Sequence, residues 1–419
     1  MSHDLSVPDL NAVIRRIEAK HRPRSPAGGR AASLEATVGG TIEETGAGRV
    51  LVVRRRFDLD HRHGRQPLSR AREIAPIPLS LLARTEPDGN AGGRLLYLDT
   101  ETTGLAGGTG TYAFLVGVGF FEGDGFEVRQ YFMRDLDEEP ALLAALDAVF
   151  RDFDGLVTYN GAGFDLPLLE TRFVLARRRW PGDRLHLDLL RSARGLWSAR
   201  LGDCRLGTLE QHVLRFTRED DVPGAMIPAV YFDYLRRKRP GELPRVFEHN
   251  RHDILSLAAL TGWVAAALAD APEADHHPDE LVGLGRLWEG MDLERGLACY
   301  RMALDRGLES PGRERVLLRL AHREKRLARW DEARALWEAA THATSSFDPR
   351  PWEEIAKLDE HQRRDFTAAR AKVEEALSRA QRHRAPERVV EALEHRLGRL
   401  TRRLSARPHH EPALAPGAG

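Results

Sequence analysis

The chain has 419 residues, with 63 Lys and Arg balancing 63 Asp and Glu, and 42% hydrophobic residues. Zero net charge excludes a uniformly basic surface as a source of nucleic-acid affinity, so any such partner must be held by a local patch, and the length is enough for more than one core. The two cysteines, Cys204 and Cys299, lie outside any CxxC pattern, which argues against a disulfide scaffold or a zinc site and fits a reducing, cytoplasmic compartment.

The opening MSHDLSVPDL has no basic segment followed by an apolar one, so it does not read as a secretory signal. Leu10, Val13, Ile14 and Ile17 recur at helical spacing, which predicts a short helix before a Pro/Gly/Arg-rich segment. Residues 41–58 turn around Gly46 and Gly48 and read as a hairpin. The run Arg54, Arg55, Arg56 at its end reads as a solvated sheet edge rather than a phosphate contact. His61 and His63 fall in a polar loop without a third ligand, so they are given no metal role.

The stretch LLYLDTETTGL, residues 95–105, is an apolar strand ending in Asp99 and Glu101. The strand period of two points both carboxylates to one face. Like charges so placed either have raised pKa values or share a divalent cation, and a solvated cluster at a strand end favours the cation. Thr102, Thr103 and Gly104 follow, and two readings stand for them: contacts to a bound terminal nucleotide, or caps of the turn. The glycines at 107, 108 and 110 match neither GxxxxGK[ST] nor GxGxxG, so no nucleotide phosphate loop is indicated.

Two further strands, 113–121 and 126–133, form an antiparallel meander around the turn at 123–125. An amphipathic helix at 138–153 precedes a short strand at 155–159. That strand runs into YNGAGFD, where Asn160 ends it and Asp165 opens a helix. An acid in the first turn is favoured by the helix dipole. Asn160 either positions Asp165 or a phosphate, or is simply a turn former. Asp188, in LHLDLLR, is expected either to support the site from behind its metal ligands or to cap a helix, without touching metal. Helices are expected at 206–214 and 229–236, flanking the loop REDDVPGAMIP. The last helix of this part contains EHNRHDILSLAAL, in which His249 and Asp253 lie four apart on one face. The apolar stretch 254–269 is too short to span a bilayer and reads as a buried helix.

An early strand bearing D-x-E, a strand-to-helix Asp in YNGAGFD and a late helix bearing H-x-x-x-D together resemble the DEDD exonucleases of the ribonuclease H-like superfamily. Within it, DTETTGLAGGTGTYAFLVGVG, YNGAGFDLPLLETR and EHNRHDILSL resemble the YprB-like family of bacterial proteins. The resemblance implies an α/β fold, a mixed sheet flanked by helices, and a metal-dependent 3′–5′ exonuclease acting on a single strand or 3′ end of nucleic acid. Asp99, Glu101, Asp165 and Asp253 match the four acidic positions that in such enzymes hold two Mg2+ or Mn2+ ions. The chain departs from the pattern at the general base. Enzymes with a histidine base keep it five residues before the last aspartate, where Glu248 stands here. Those with a tyrosine base keep it four before, where His249 stands. An imidazole titrates near neutral pH and can accept a proton from water, which makes His249 the expected base. His252, rotated about 100° round the helix from Asp253, is expected to face elsewhere.

The composition changes near residue 269, where LADAPEADHHPDE reads as a linker in which His276 and His277 are exposed. Beyond it, Gly296, Tyr300 and Ala303 recur as Ala333, Trp337 and Ala340, then as Ala369, Val373 and Ala376, at periods of 37 and 36 residues. A small residue, a bulky one four later and alanine three after that resembles the second helix of a tetratricopeptide repeat. Leu317, Leu320 and Ala321, and Trp352, Ile355 and Ala356, match its first helix. The expected plan is an N-terminal helix and flexible segment (1–40), a ribonuclease H-like exonuclease domain opened by a hairpin (41–269), a linker (270–280), an all-α array of tetratricopeptide-like repeats (281–405) and a disordered tail (406–419). Such an array offers a surface for a protein partner. The alternative to the enzyme is therefore a non-catalytic nucleic-acid-binding or adaptor protein acting through its repeats. No membrane partner is expected.

Overall fold

The structure, a computed structural model, describes residues 33–72, 74, 82, 93–104, 110–182, 184–269, 276–343 and 347–405. The expected N-terminal helix, Gly107 and Gly108, residues 270–275 of the expected linker and the expected tail lie outside them.

A short helix, α1 (Leu34–Val38), leads into the hairpin β1 (Gly40–Thr45) and β2 (Gly48–Asp58). After the small ladder β3 (Arg62–His63) and β4 (Gln66–Pro67) come β5 (Leu95–Thr102), β6 (Ala113–Glu122) and β7 (Gly125–Phe132). Helix α2 (Glu139–Phe150), β8 (Gly155–Thr158), α3 (Asp165–Leu175), β9 (Leu185–Asp188) and α4 (Leu189–Leu201) follow. The main sheet has seven strands in the order β1-β2-β7-β6-β5-β8-β9. Pairing is antiparallel from β1 to β5, whereas β5, β8 and β9 run parallel. Parallel strands need a crossover, and α2 and α3 lie in the two crossovers.

The arginines of β2 lie where expected: β1 pairs with β2 only as far as Val53, so Arg54, Arg55 and Arg56 pair with β7 alone and stay exposed, Arg54 meeting Glu43 and Arg56 meeting Asp124 at 2.6 Å. His63, by contrast, is not in a loop open to solvent: it is 2% exposed, with Nε2 2.7 Å from Ser256 Oγ.

After α4 comes the short α5 (Leu206–Leu209), which widens into a π-type turn at Glu210–Leu214 where one regular helix was expected. Helix α6 (Ile227–Arg237) precedes α7 (Leu243–Ala269), 27 residues long. By length and composition α7 is apolar enough to cross a membrane, but most of it is buried against the sheet and neighbouring helices, as a core helix is. Its close approach to β6 is possible because Gly117 and Gly119 present no side chains. A Cβ at 117 would lie 2.2 Å from Asn250 Oδ1, and one at 119 would lie 2.4 Å from a methyl of Ile254.

The C-terminal part is helical: α8 (Pro278–Trp288), α9 (Leu293–Asp305), α10 (Gly312–Arg326), α11 (Trp330–His342), α12 (Pro349–His361), α13 (Phe366–Arg382) and α14 (Glu387–Ser405). Helices α8 with α9, α10 with α11 and α12 with α13 pack as hairpins, and α14 covers α13. The repeated positions fall inside: Tyr300, Ala303, Ala333, Trp337, Ala340, Ala369, Val373 and Ala376 are all buried. One hydrophobic core runs without a break from Leu68 through Trp197 and Leu260 to Leu320, so the helical part shares its packing with the sheet part. Where they meet, buried Glu280 of α8 accepts hydrogen bonds from Trp197 Nε1 (3.1 Å) and Arg200 Nη1 (2.6 Å). His277 caps α8, and His276, expected to be exposed, packs its ring edge-on against Trp263 at 5.5 Å.

Because α7 rests on the bare backbone of β6, Gly117→Ala is expected to push the helix outward and cost about 1–3 kcal/mol, as overpacking does. Chemical denaturation of the two proteins measures it, and equal stability would show that the approach does not need glycine.

Candidate active site

Strand β5 delivers Asp99 and Glu101 to one face, and its pairing with β6 shifts register between Glu101 and Thr102. A register shift at a strand end re-aims the side chains next to it. Asp99 pairs across the ladder with Gly117, the residue over which Asn250 of α7 sits. Asn250 is fully buried and donates from Nδ2 to Asp99 Oδ2 at 2.8 Å, while its Oδ1 accepts from Gln130 Nε2 at 2.9 Å. The amide orientation is thus fixed by two partners.

Three residues down α7, Asp253 is 8% exposed, and His249 one turn before it places Nε2 3.4 Å from Asp253 Oδ2 and 3.9 Å from Glu101 Oε1. Glu101, His249 and Asp253 each offer a ligand atom within 4.8 Å of the others. Asp165, at the start of α3, is 5% exposed and accepts from the hydroxyl of Thr100 at 2.5 Å. The loop that carries it is tied down by Asp188, which accepts from the backbone N–H groups of Asn160 (2.8 Å) and Ala162 (3.2 Å) and caps α4 through Leu190 N. Asn160 has φ +64°, a left-handed conformation that asparagine tolerates better than most residues.

The electrostatics are dominated by burial, with repulsion between the acids second. Burial raises Asp99 well above an ordinary carboxylic acid, and the charges of Asp253 and Asp165 add to it, against the opposing hydrogen bond from Asn250. Burial also raises Glu101, with Asp99, Asp253 and Asp165 adding to it. Burial pushes Asp165 up to about 6, although the Thr100 hydroxyl and backbone amides favour its ionised form. The cluster was expected to be solvated; instead it is largely shielded, because α7 lies over β5 and its bare neighbour β6.

Besides Asn250 and Thr100, three contributors were not read from the sequence. Arg218 lies in the loop after the π-type turn, with its side chain 10% exposed. It forms an ion pair with Asp253 Oδ1 and a two-pronged pair with Glu210, Nε to Oε2 at 2.8 Å and Nη2 to Oε1 at 2.5 Å. Burial works against its charge, but Asp253 and Glu210 outweigh that and hold it protonated more firmly than an ordinary guanidinium. Glu210 is 2% exposed and also accepts from Ser256 Oγ at 2.5 Å. Glu210 takes up part of the Arg218 charge and Asp253 the rest, so one of the four acids already has a cationic partner. Asp221 lies 2.7 Å from His249 Nδ1. Arg218 Nη1 lies 3.3 Å from the same nitrogen; with the Nδ1 proton donated to Asp221, the Nε2 lone pair faces Glu101 and Asp253. A loop arginine beside two aspartates, in REDD, was the available signal, but nothing in its spacing shows what it touches.

The other candidates occupy less committed positions. Thr102 donates to Gly104 O at 2.8 Å and Thr103 Oγ1 accepts from Tyr112 N at 3.0 Å, so both hydroxyls close the turn beside the acids. His252 is aimed away, 3.1 Å from Glu248 and packed against Phe216. The donor set fits a divalent cation of the hard, oxygen-preferring kind. Glu101 and Asp253 bring ligand oxygens within 4.8 Å of each other, and with Asp99 and Asp165 on β5 and α3 the ionised acids carry more negative charge than the shared Arg218 offsets, which a cation of charge two would balance.

A model of the RNase H superfamily matches residues 96–265, the span that carries all five of Asp99, Glu101, Asp165, His249 and Asp253. Among solved structures, the family B DNA polymerase of the hyperthermophilic archaeon Pyrobaculum calidifontis is similar at 17% identity with a TM-score of 0.36, over 51% of this chain and 29% of that one. An uncharacterised protein of Bacillus subtilis (strain 168), YprB, is 30% identical over 356 residues, 84% of this chain and 85% of its own length. The chain belongs to the YprB family, with an RNase H superfamily unit in its N-terminal part.

Proposed function

We propose that this protein is a divalent-metal-dependent 3′–5′ exonuclease of the DEDD type, hydrolysing phosphodiester bonds of nucleic acid in the cytoplasm. The observation that carries the reading is the meeting of Glu101, His249 and Asp253 within 4.8 Å beside the raised carboxylic acids of Asp99 and Asp165. Asp99, Glu101, Asp165 and Asp253 would hold Mg2+ or Mn2+, two ions in the presence of substrate, which supply Lewis acidity toward the scissile phosphate. His249, its Nδ1 anchored by Asp221, takes a proton from the attacking water at Nε2. Asn250 and Thr100 hold Asp99 and Asp165 in place through 2.8 Å and 2.5 Å bonds. Thr102, Thr103, Gly104 and Asn160 line the approach to the acids and serve the terminal nucleotide. The helical part, tetratricopeptide-like in its repeated positions, braces this unit through Glu280 and carries the surface for a protein partner.

One observation favours a second reading, a non-catalytic nucleic-acid-binding adaptor. Arg218 already occupies one oxygen of Asp253, and a buried cation on a ligand acid competes with a metal.

Incubation of the purified protein with 5′-labelled single-stranded DNA and RNA plus Mn2+ separates the two. The enzyme gives a ladder shortening from the 3′ end, abolished by Asp99→Asn and reduced about 10²–10⁴-fold by His249→Ala, the usual worth of a general base. Cleavage unchanged in Asp99→Asn, or none in the parent protein, sinks the exonuclease.

Metal binding has its own pH signature. Carboxylic acids whose folded-state pKa lies above the unfolded value bind extra protons in the native state, so the metal-free protein loses stability as pH rises from about 4 through the raised values. A cation needs the same groups ionised, so the increase in melting temperature produced by Mn2+ is expected to grow from pH 5 to pH 8 and to shrink sharply in Asp99→Asn. An increase independent of pH would place the ion elsewhere.

A further inference from the structure

At the end of α3 away from Asp165, a second feature is built from a different set of residues. Asp147 and Arg151 of α2, with Arg178, Arg179, Trp180, Pro181 and Arg184 from the segment between α3 and β9, line an open cleft of about 590 Å3. Among the described residues that line it, four guanidinium groups share one carboxylate. Asp147 Oδ2 pairs with Arg151 at 2.7 Å and Arg178 at 3.1 Å, and this arrangement leaves the pocket with surplus positive charge. Among the described residues, Arg184 bonds through Nε to the carbonyl of Pro181 at 2.8 Å. Arg178 Nε is buried without a hydrogen-bond partner among the described residues. Such an orphaned donor costs free energy unless something accepts from it.

Trp180 forms the wall of the cleft. Its ring is fixed edge-on by Phe150 at 5.8 Å and Phe173 at 5.3 Å, so it is a rigid apolar surface beside flexible cations. Arginine forks match phosphate oxygens in pairs, and an indole offers a face to a base. The volume lies in the range that holds a nucleotide-sized ligand. The balanced charge of the whole chain gives no general attraction for a polyanion, so a local surplus of this kind is where one would be held.

We infer that this cleft binds a phosphate-bearing nucleotide unit, and specifically the backbone of the strand whose 3′ end lies at Asp99 and Asp165. This assignment rests on the exonuclease reading. Helix α3 has 11 residues, so its two ends are about 15 Å apart. At a stacked rise of about 3.4 Å per nucleotide, the cleft meets the strand at least four to five nucleotides from the reacting end. It therefore acts on longer strands and not on the shortest ones.

The test uses the full chain in the Asp99→Asn background, which leaves the strand intact, with and without Arg179→Glu and Arg184→Glu together. Fluorescence anisotropy is read with 5′-fluorescein oligothymidylates of 3 and 12 nucleotides. The double substitution is expected to weaken the 12-mer more than 10-fold, to lower its salt slope by about 1.4 for two lost phosphate contacts on a single strand, and to leave the 3-mer unchanged. Arg179→Lys with Arg184→Lys, which keeps the charge, is expected to retain most of the 12-mer affinity. Equal 12-mer binding with and without the Glu substitutions, or an equal loss on both lengths, overturns the cleft. Displacement of the 12-mer by thymidine 5′-phosphate at matched phosphate concentration makes the cleft a free-nucleotide pocket and overturns the strand assignment. Hydrolysis of the 3-mer by the Asp99-containing protein with and without the Glu pair separates the two readings. Hydrolysis intact with no arginine-dependent binding removes the cleft alone, whereas arginine-dependent binding without hydrolysis keeps the cleft and removes the exonuclease.

Discussion

Four carboxylic acids that repel one another hold the key position in this molecule, and the surrounding architecture is arranged to keep them together. Nothing in their own interactions favours the arrangement, since burial and mutual charge raise Asp99, Glu101 and Asp165. A rigid frame imposes it. Asn250 pins Asp99, Thr100 pins Asp165, and Arg218, itself held by Glu210, pins Asp253. Local unfavourable geometry held by a well-packed surround is the usual mark of a functional site.

The frame reaches well beyond the acids. Buried His63 on the small β3–β4 ladder contacts Ser256, Ser256 donates to Glu210, Glu210 holds Arg218, and Arg218 meets Asp253. Burial holds the His63 ring neutral, its pKa lowered to about 3, so this chain of polar groups adds no further charge. On the other side, Trp197 and Arg200 of α4 clasp Glu280 of α8, and a single core runs from the sheet into the first helical hairpins. The helical part is therefore a structural neighbour of the site's support and not a loosely tethered attachment.

The fold was largely readable because its signals are periodic. The alternation in β5 gave the shared face of Asp99 and Glu101, the meander followed from its turn at 123–125, and the 37- and 36-residue spacing marked positions that are all buried. What escaped depends on pairings between distant segments. The exposed edge at Arg54 to Arg56 was legible, but its partners Glu43 and Asp124 were not, because the pairing of β1 with β2 and of β2 with β7 is not a local property. Residues 206–214 read as one helix, but the chain widens at Glu210, where the side chain turns inward to Arg218 and Ser256. Asn250 stood in plain view between His249 and Asp253, yet its role needs Gly117 on another strand to make room for it. Arg218 and Asp221 come from a loop with no periodicity at all, so the partners of Asp253 and His249 appear only in three dimensions.

The central claim is that these acids form a cation site despite the arginine on Asp253. Anomalous diffraction from crystals grown with Mn2+ tests it most directly. The account predicts manganese density between Asp99, Glu101 and Asp253, with Arg218 drawn back onto Glu210. An ordered crystal in which Arg218 stays on Asp253 and no manganese lies among the acids would contradict it.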